Sequence, residues 1–229
     1  SNEHAGLGDW FANTKRLPQG ITGLSKKIGE IGMKFGLWFE PEMVNKDSDL
    51  YRQHPDWIIA APERRQSHGR FQYVLDFSRT EVVDYIYSMM ETLLSDADIS
   101  YIKWDMNRSI TECFSNTLPA DRQGEVYHRY ILGVYELYER LIGRFPQILF
   151  ESCASGGGRF DPGMLYYAPQ GWTSDDTDAM ERLKIQYGTS YCYPVSSMGS
   201  HVSVTPNQQV NRDTPLSTRA NVAYFGTFG

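Results

Sequence analysis

The sequence predicts an α/β fold, a (β/α)8 TIM barrel, read as one domain over residues 1–229. Three observations carry this. Short runs rich in aromatic and β-branched residues alternate with longer segments of helical spacing. Polar and charged side chains stand at the ends of successive runs. No linker, internal repeat or low-complexity tract divides the chain.

In chain order, a helix is predicted over residues 23–31, then strand-like runs at 35–39 and 71–77. The clearest helix comes next, at 80–94, where Val82, Val83, Ile86, Met89, Met90, Leu93 and Leu94 share one face. Ser78 and Glu81 offer a capping box at its start. The third run is 101–104. A long helix over 123–144 carries an apolar stripe of Val126, Tyr130, Val134, Leu137 and Leu141, and Pro146 ends it. The fourth run is 148–150. A weaker one at 171–173 precedes a helix at 179–187, and further runs at 193–197 and 222–225 bring the total close to the eight strands of a barrel.

Composition narrows the class. The chain is 41% hydrophobic and 14% aromatic, enough for a sizeable core. A formal net charge of −6 opposes a polyanionic partner, and Arg64-Arg65 with His68 and Arg70 is too short a basic patch to argue for nucleic acid. Three widely spaced cysteines, with no CxxC pair, form neither a zinc site nor a disulfide framework and fit a reducing cytoplasm. No apolar stretch is long enough to span a membrane, and residues 1–9 lack a signal-peptide pattern.

The polar clusters at the run ends point to chemistry. Glu40-Pro41-Glu42, Asp76, Lys103-Trp104-Asp105-Met106-Asn107-Arg108, Glu151-Ser152-Cys153, Ser174-Asp175-Asp176-Thr177-Asp178 and Gly199-Ser200-His201 stand at successive strand ends. In a parallel barrel those ends share the face where active sites form. One such cluster could simply cap the next helix; six in register favour a site. Carboxylates beside Trp38, Trp104 and Trp172 suit a sugar, with its apolar C–H face and its hydroxyls, although each Trp could equally fill the core. Glycoside hydrolysis needs two carboxyl groups, and this face has several. Gly156-Gly157-Gly158 matches neither dinucleotide nor Walker patterns and is read as allowing close backbone approach to a small polar substrate. Asp176 and Asp178 read as helix-capping acids, Asp76 and Glu42 as supporting groups, and His201 as a supporting or core histidine.

The stretches Leu7-Gly8-Asp9-Trp10, Phe35-Gly36-Leu37-Trp38-Phe39-Glu40-Pro41-Glu42-Met43-Val44, His54-Pro55-Asp56-Trp57, Tyr73-Val74-Leu75-Asp76, Lys103 to Arg108, Glu151-Ser152-Cys153, Gly156 to Asp161, Trp172 to Asp178 and Gly199-Ser200-His201 run in order over nearly the whole chain. Together they resemble the family 36 glycoside hydrolases, bacterial α-galactosidases of the melibiase and raffinose-hydrolysing type. The resemblance implies a retaining mechanism with Asp105 as nucleophile and Asp175 as general acid/base. It implies that Trp38, Arg70, Lys103, Asn107, Cys153 and Trp172 line the galactose subsite. It implies terminal α-linked galactose as substrate, no metal or organic cofactor, and a homo-oligomer, a tetramer, for the full-length parent.

Two departures accompany the resemblance. The family's barrel begins with a strand ending in adjacent aspartates, and flanking β-domains stand before and after the barrel. The sequence is therefore expected to be a central fragment without that first strand. Gln208 stands where a His is expected, which puts one loop contact in doubt. The rival readings are α-N-acetylgalactosaminidase activity, galactosyl transfer on the same barrel, and a catalytically silent sugar-binding module.

Overall fold

The structure is a computed structural model and describes residues 4–228. The chain forms two compact units, Ser1–Ile102 with Met106–Ile148, and Lys103–Asp105 with Leu149–Gly229.

The first unit opens with α1 (Gly20–Glu30), then β1 (Gly36–Phe39). β1 runs beside the start of β4 (Tyr101–Trp104), and the Ser100 amide donates to the Phe35 carbonyl at 2.9 Å. Between them lie β2 (Met43–Asn45), the short α2 (Asp49–Gln53), β3 (Gln72–Val74) and α3 (Thr80–Asp96); α4 (Val126–Arg144) comes after β4. The start of α2 explains Asp9. Its carboxylate accepts from the Asp49 amide at 2.8 Å and the Leu50 amide at 3.0 Å, while Ser48 Oγ accepts from the Tyr51 amide. Three of the helix's otherwise orphaned N–H groups are thereby satisfied.

The run at 71–77 departs from expectation. Its pattern predicts a strand of the parallel barrel, yet β3 pairs antiparallel with β2, with Met43 opposite Val74. All three β3 residues are buried, and a continuous buried run has no alternation to distinguish the two pairings. The capping box is also replaced. Ser78 Oγ donates to the Asp76 carboxylate, and the N-cap of α3 is Arg79, whose side chain instead reaches Glu81 at 2.8 Å.

α3 and α4 pack along each other through the predicted stripes. Val82, Val83, Ile86, Met90 and Leu94 are buried on one, and Val126, Tyr130, Val134, Leu137 and Leu141 on the other. Gly133 permits α4 to come this close, because a Cβ there would sit 2.0 Å from the Phe77 carbonyl oxygen.

The second unit is a parallel sheet. Next to the end of β4 stand β5 (Leu149–Ser152), β6 (Gln170–Trp172), β7 (Met198–Ser200) and β8 (Thr227–Phe228), in that spatial order. β5–β6, β6–β7 and β7–β8 are parallel pairs. α5 (Pro162–Tyr167), α6 (Ala179–Ser190) and α7 (Leu216–Ala223) supply the crossovers. Asp161 caps α5 through the Met164 amide at 2.9 Å, with Pro162 at its first position. Two predicted runs shift here. Residues 195–197 form a 3-10 turn and the strand begins at Met198; residues 222–223 end α7, and the strand begins at Thr227. Neither run is long enough for periodicity to separate a strand from a helix end.

Gly133→Ala should therefore destabilise the α3–α4 packing by about 1–3 kcal/mol, seen as faster hydrogen exchange along α4. Unchanged exchange would mean that α4 moves off Phe77 at no cost.

Candidate active site

In the second unit, β4 ends in Lys103 and Trp104, and Asp105 follows it directly, only 7% exposed. Strand alternation sends Lys103 and Asp105 to one face. Lys103 Nζ meets Glu151 Oε1 at 3.1 Å, and the Gln170 amide donates to the other oxygen of Glu151. Beside them, the Cys153 amide donates to the Trp104 carbonyl at 2.7 Å. Burial, reinforced by the neighbouring Asp105 charge, pushes the Cys153 thiol up to about 12, and the thiol hydrogen-bonds with Asp105. Cys153 is thus a protonated wall group rather than a nucleophile.

Trp172, at the end of β6, organises the other side. Its indole N–H donates to Asp175 Oδ1 at 3.1 Å. Lys103 Nζ lies 4.8 Å and the Arg182 guanidinium 4.4 Å from its ring centroid, both in cation–π range, and the His201 ring packs at 4.4 Å. Burial of the ring, with the Lys103 charge nearby, holds the His201 pKa below its ordinary value, so the imidazole is neutral at pH 7.

Arg182, from α6, is 4% exposed. Its guanidinium donates to the Ser174 carbonyl at 2.9 Å, to the Gly199 carbonyl at 2.9 Å and to Gln186 Oε1 at 3.3 Å. Burial lowers its pKa. Asp178 caps α6 through the Met180 and Glu181 amides and is paired with Arg212, whereas the Asp176 carboxylate accepts from the Asp178 amide at 3.0 Å.

The glycine run packs closely against neighbouring backbone. Gly156, at φ +84°, lies where a Cβ would be 2.7 Å from the Asp175 amide nitrogen and from Ser174 Cα; at Gly157 a Cβ would meet the Thr173 carbonyl oxygen at 2.4 Å. Gly156 and Gly157 allow close approach of the chain to its own 173–175 loop.

In the first unit, Trp38 is 44% exposed near the end of β1 and packs on Trp10 at 6.3 Å. Arg70 is exposed on a loop at φ +51°. Both line a cleft of about 940 Å³ with Glu40, Gln72, Asp9 and Lys15. The Asn107 amide donates to the buried Glu40 at 2.6 Å, and Gln72 donates to the same carboxylate at 2.9 Å. Glu42 accepts from Tyr130, and Asp76 from Ser78 and Ser115. Sequence reasoning assigns no role to Arg182 or Gln170. Both are single polar residues on or beside a regular element, and no motif marks them.

Among the described residues no group of three or more His, Cys, Asp or Glu could hold a metal ion, and no helix is long and apolar enough to cross a membrane. The melibiase family model matches residues 1–229. The chain belongs to the melibiase family. Alpha-galactosidase AgaA of Geobacillus stearothermophilus is 57% identical over 228 residues, covering 100% of this chain and 31% of that protein. Alpha-galactosidase Mel36A of Lactobacillus acidophilus is 53% identical at the same coverage. Of the solved structures, the GH36 alpha-galactosidase AgaA superposes with a TM-score of 0.97 at 56% identity, covering 100% of this chain and 32% of that one. The alpha-galactosidase of Lactobacillus brevis gives 0.98 at 59%, with 100% and 31% covered. These melibiase neighbours identify the parallel strands and helices as part of an α/β TIM-barrel region. The chain spans about 31% of the length of the curated relatives it matches.

Two outcomes are expected for a melibiase-family protein built this way. Arg182→Met removes the charged donor to the Ser174 and Gly199 carbonyls and should cost on the order of 3 kcal/mol, lowering the thermal midpoint of the second unit. Cys153, neutral and buried, should resist iodoacetamide at pH 8 while exposed Cys192 is alkylated, as peptide mass mapping would reveal.

Proposed function

We propose that the full-length protein carrying this chain is a retaining α-galactosidase that releases terminal α-linked galactose from oligosaccharides such as melibiose and raffinose. The single observation that carries this reading is the indole N–H of Trp172 on the carboxylate of Asp175 at 3.1 Å, in the unit that also holds the buried Asp105. Two carboxyl groups in contrasting surroundings, one buried and one exposed, suit a division into nucleophile and acid/base.

In the first step the Asp105 carboxylate attacks the anomeric carbon. The C–O bond to the leaving group breaks as the Asp175 carboxyl gives its proton to that oxygen. In the second, water attacks the galactosyl ester, its proton goes to Asp175, and Asp105 leaves as carboxylate. Two inversions give net retention, for which the carboxyls need a separation of roughly 5–5.5 Å. Trp38, Arg70, Lys103, Asn107, Cys153 and Trp172 are assigned to galactose binding, with no metal or organic cofactor.

The relatives support the assignment. AgaA variants have been crystallised with raffinose and with stachyose, and the aspartates replaced in those two variants are 70 positions apart, the spacing of Asp105 and Asp175. A cytoplasmic homo-oligomer, a tetramer, that acts on soluble oligosaccharides, without nucleic-acid or membrane partners, completes the proposal.

The test is hydrolysis of p-nitrophenyl α-galactoside by the full-length protein. Asp105→Ala should lower kcat at least about a thousandfold, azide should restore turnover as β-galactosyl azide, and NMR should find α-galactose as the first product. Cleavage of the α-N-acetylgalactosaminide in place of the galactoside would sink the substrate assignment.

A further inference from the structure

The segment between β7 and α7 is bound to the loop that carries Asp175. Gln209 makes the central contacts. Its Nε2 donates to the Asp175 carbonyl at 2.5 Å, and its Oε1 accepts from the Thr177 amide at 2.8 Å and from Thr177 Oγ1 at 3.2 Å. One planar amide therefore spans both sides of Asp176. Gln209 is itself fixed by Asn207, which is 2% exposed. Asn207 Oδ1 accepts from the Gln209 amide at 2.9 Å and the Val210 amide at 3.1 Å, and its Nδ2 donates to Thr177 Oγ1 at 3.1 Å. Arg212 closes the far end on Asp178 and Glu181.

We propose that Gln209 is a positioning residue for Asp175, acting with Asn207 to set the direction in which the carboxyl faces the leaving group. The inference rests on the acid/base role proposed for Asp175. The physical reasoning is geometric. Trp172 holds the side-chain end of Asp175 through one hydrogen bond, and an exposed side chain held at one point still rotates about its own backbone. Gln209 fixes that backbone at the Asp175 carbonyl and again two residues on. The contacts require a donor and an acceptor in one plane at this reach. Glutamine has both; glutamate has no donor for the Asp175 carbonyl, and alanine has neither. Gln209 is exposed, so its replacement opens no core cavity and tests position rather than packing.

A general acid matters in proportion to how poor the leaving group is. Nitrophenolate departs almost unaided, whereas the glucose hydroxyl of melibiose requires the proton. The experiment measures kcat/KM for p-nitrophenyl α-galactoside and for melibiose on the full-length wild type, Gln209→Ala and Gln209→Glu. Misplacing a catalytic group by a fraction of an ångström costs about tenfold or more. Both variants are accordingly expected to lose at least about tenfold on melibiose and less than about threefold on the nitrophenyl substrate, with an unchanged thermal midpoint. Equal losses on the two substrates, no loss on either, or full recovery with Glu would each overturn the positioning role while leaving the galactosidase reading in place. A wild-type protein that cleaves neither substrate would overturn both.

Discussion

A guanidinium that scarcely reaches water is the constraint on which the second unit depends. Arg182 bonds the carbonyl oxygens of Ser174, just past β6, and of Gly199, within β7, and lies over the Trp172 ring. Buried carbonyls need donors, and a charged donor gives hydrogen bonds roughly twice as strong as a neutral one. A buried charge is itself costly, so Arg182 is stable there only because its donors and its π-face are occupied together. Trp172 is held in consequence, and through Trp172 the carboxylate of Asp175. Gln186 extends the chain outward, accepting from Arg182 and donating to the Val222 carbonyl at 3.0 Å, so α6 and the end of α7 share the same polar seam.

Most of this scaffold is legible in the sequence wherever a period is long enough to be counted. The stripes of α3 and α4 supply seven and five positions, and the structure buries five of the first and all five of the second. Legibility fails where a segment is short or doubly buried. Residues 72–74 are covered on both faces, so they cannot reveal an antiparallel partner, and β2 is hidden behind the polar Glu40-Pro41-Glu42 cluster. At 222–223 the apolar pair is a helix end. The candidate acids are recognisable as strand-end carboxylates, but their roles come from family resemblance, because spacing alone does not separate Asp175 from Asp176 or Asp178. Their supports are not legible at all. Gln209 reaches back 34 positions to Asp175, and Gln170 reaches back 19 to Glu151. Contacts of that range leave no local pattern.

The glycines illustrate a signal whose structural partner the sequence does not show. Three in succession do announce that backbone must pass close to something. For Gly156 and Gly157 the neighbour in this fold is the 173–175 loop, approached so closely that no side chain fits. That contact and the Gln209 amide hold the same loop by different means, one by excluding volume and one by bonding carbonyl and amide. A loop gripped in both ways presents an exposed carboxyl with little freedom, which a proton donor to a leaving group needs and which exposure alone would deny it.

The buried carboxylates divide by what neutralises them. In the first unit Glu40, Glu42 and Asp76 are met by amide and hydroxyl donors in the contacts described, which suits groups that hold shape. In the second, Glu151 is met by a cation, Lys103, whose side chain remains 24% exposed. The two charges are paired at 3.1 Å. Glu151 is in turn held by Gln170, so the ammonium is paired with a fixed carboxylate. Held there from behind, the Lys103 side chain gives up conformational freedom in the folded chain itself. This is the advantage of fixing a charged ligand contact from behind, on a strand, rather than leaving it to a loop.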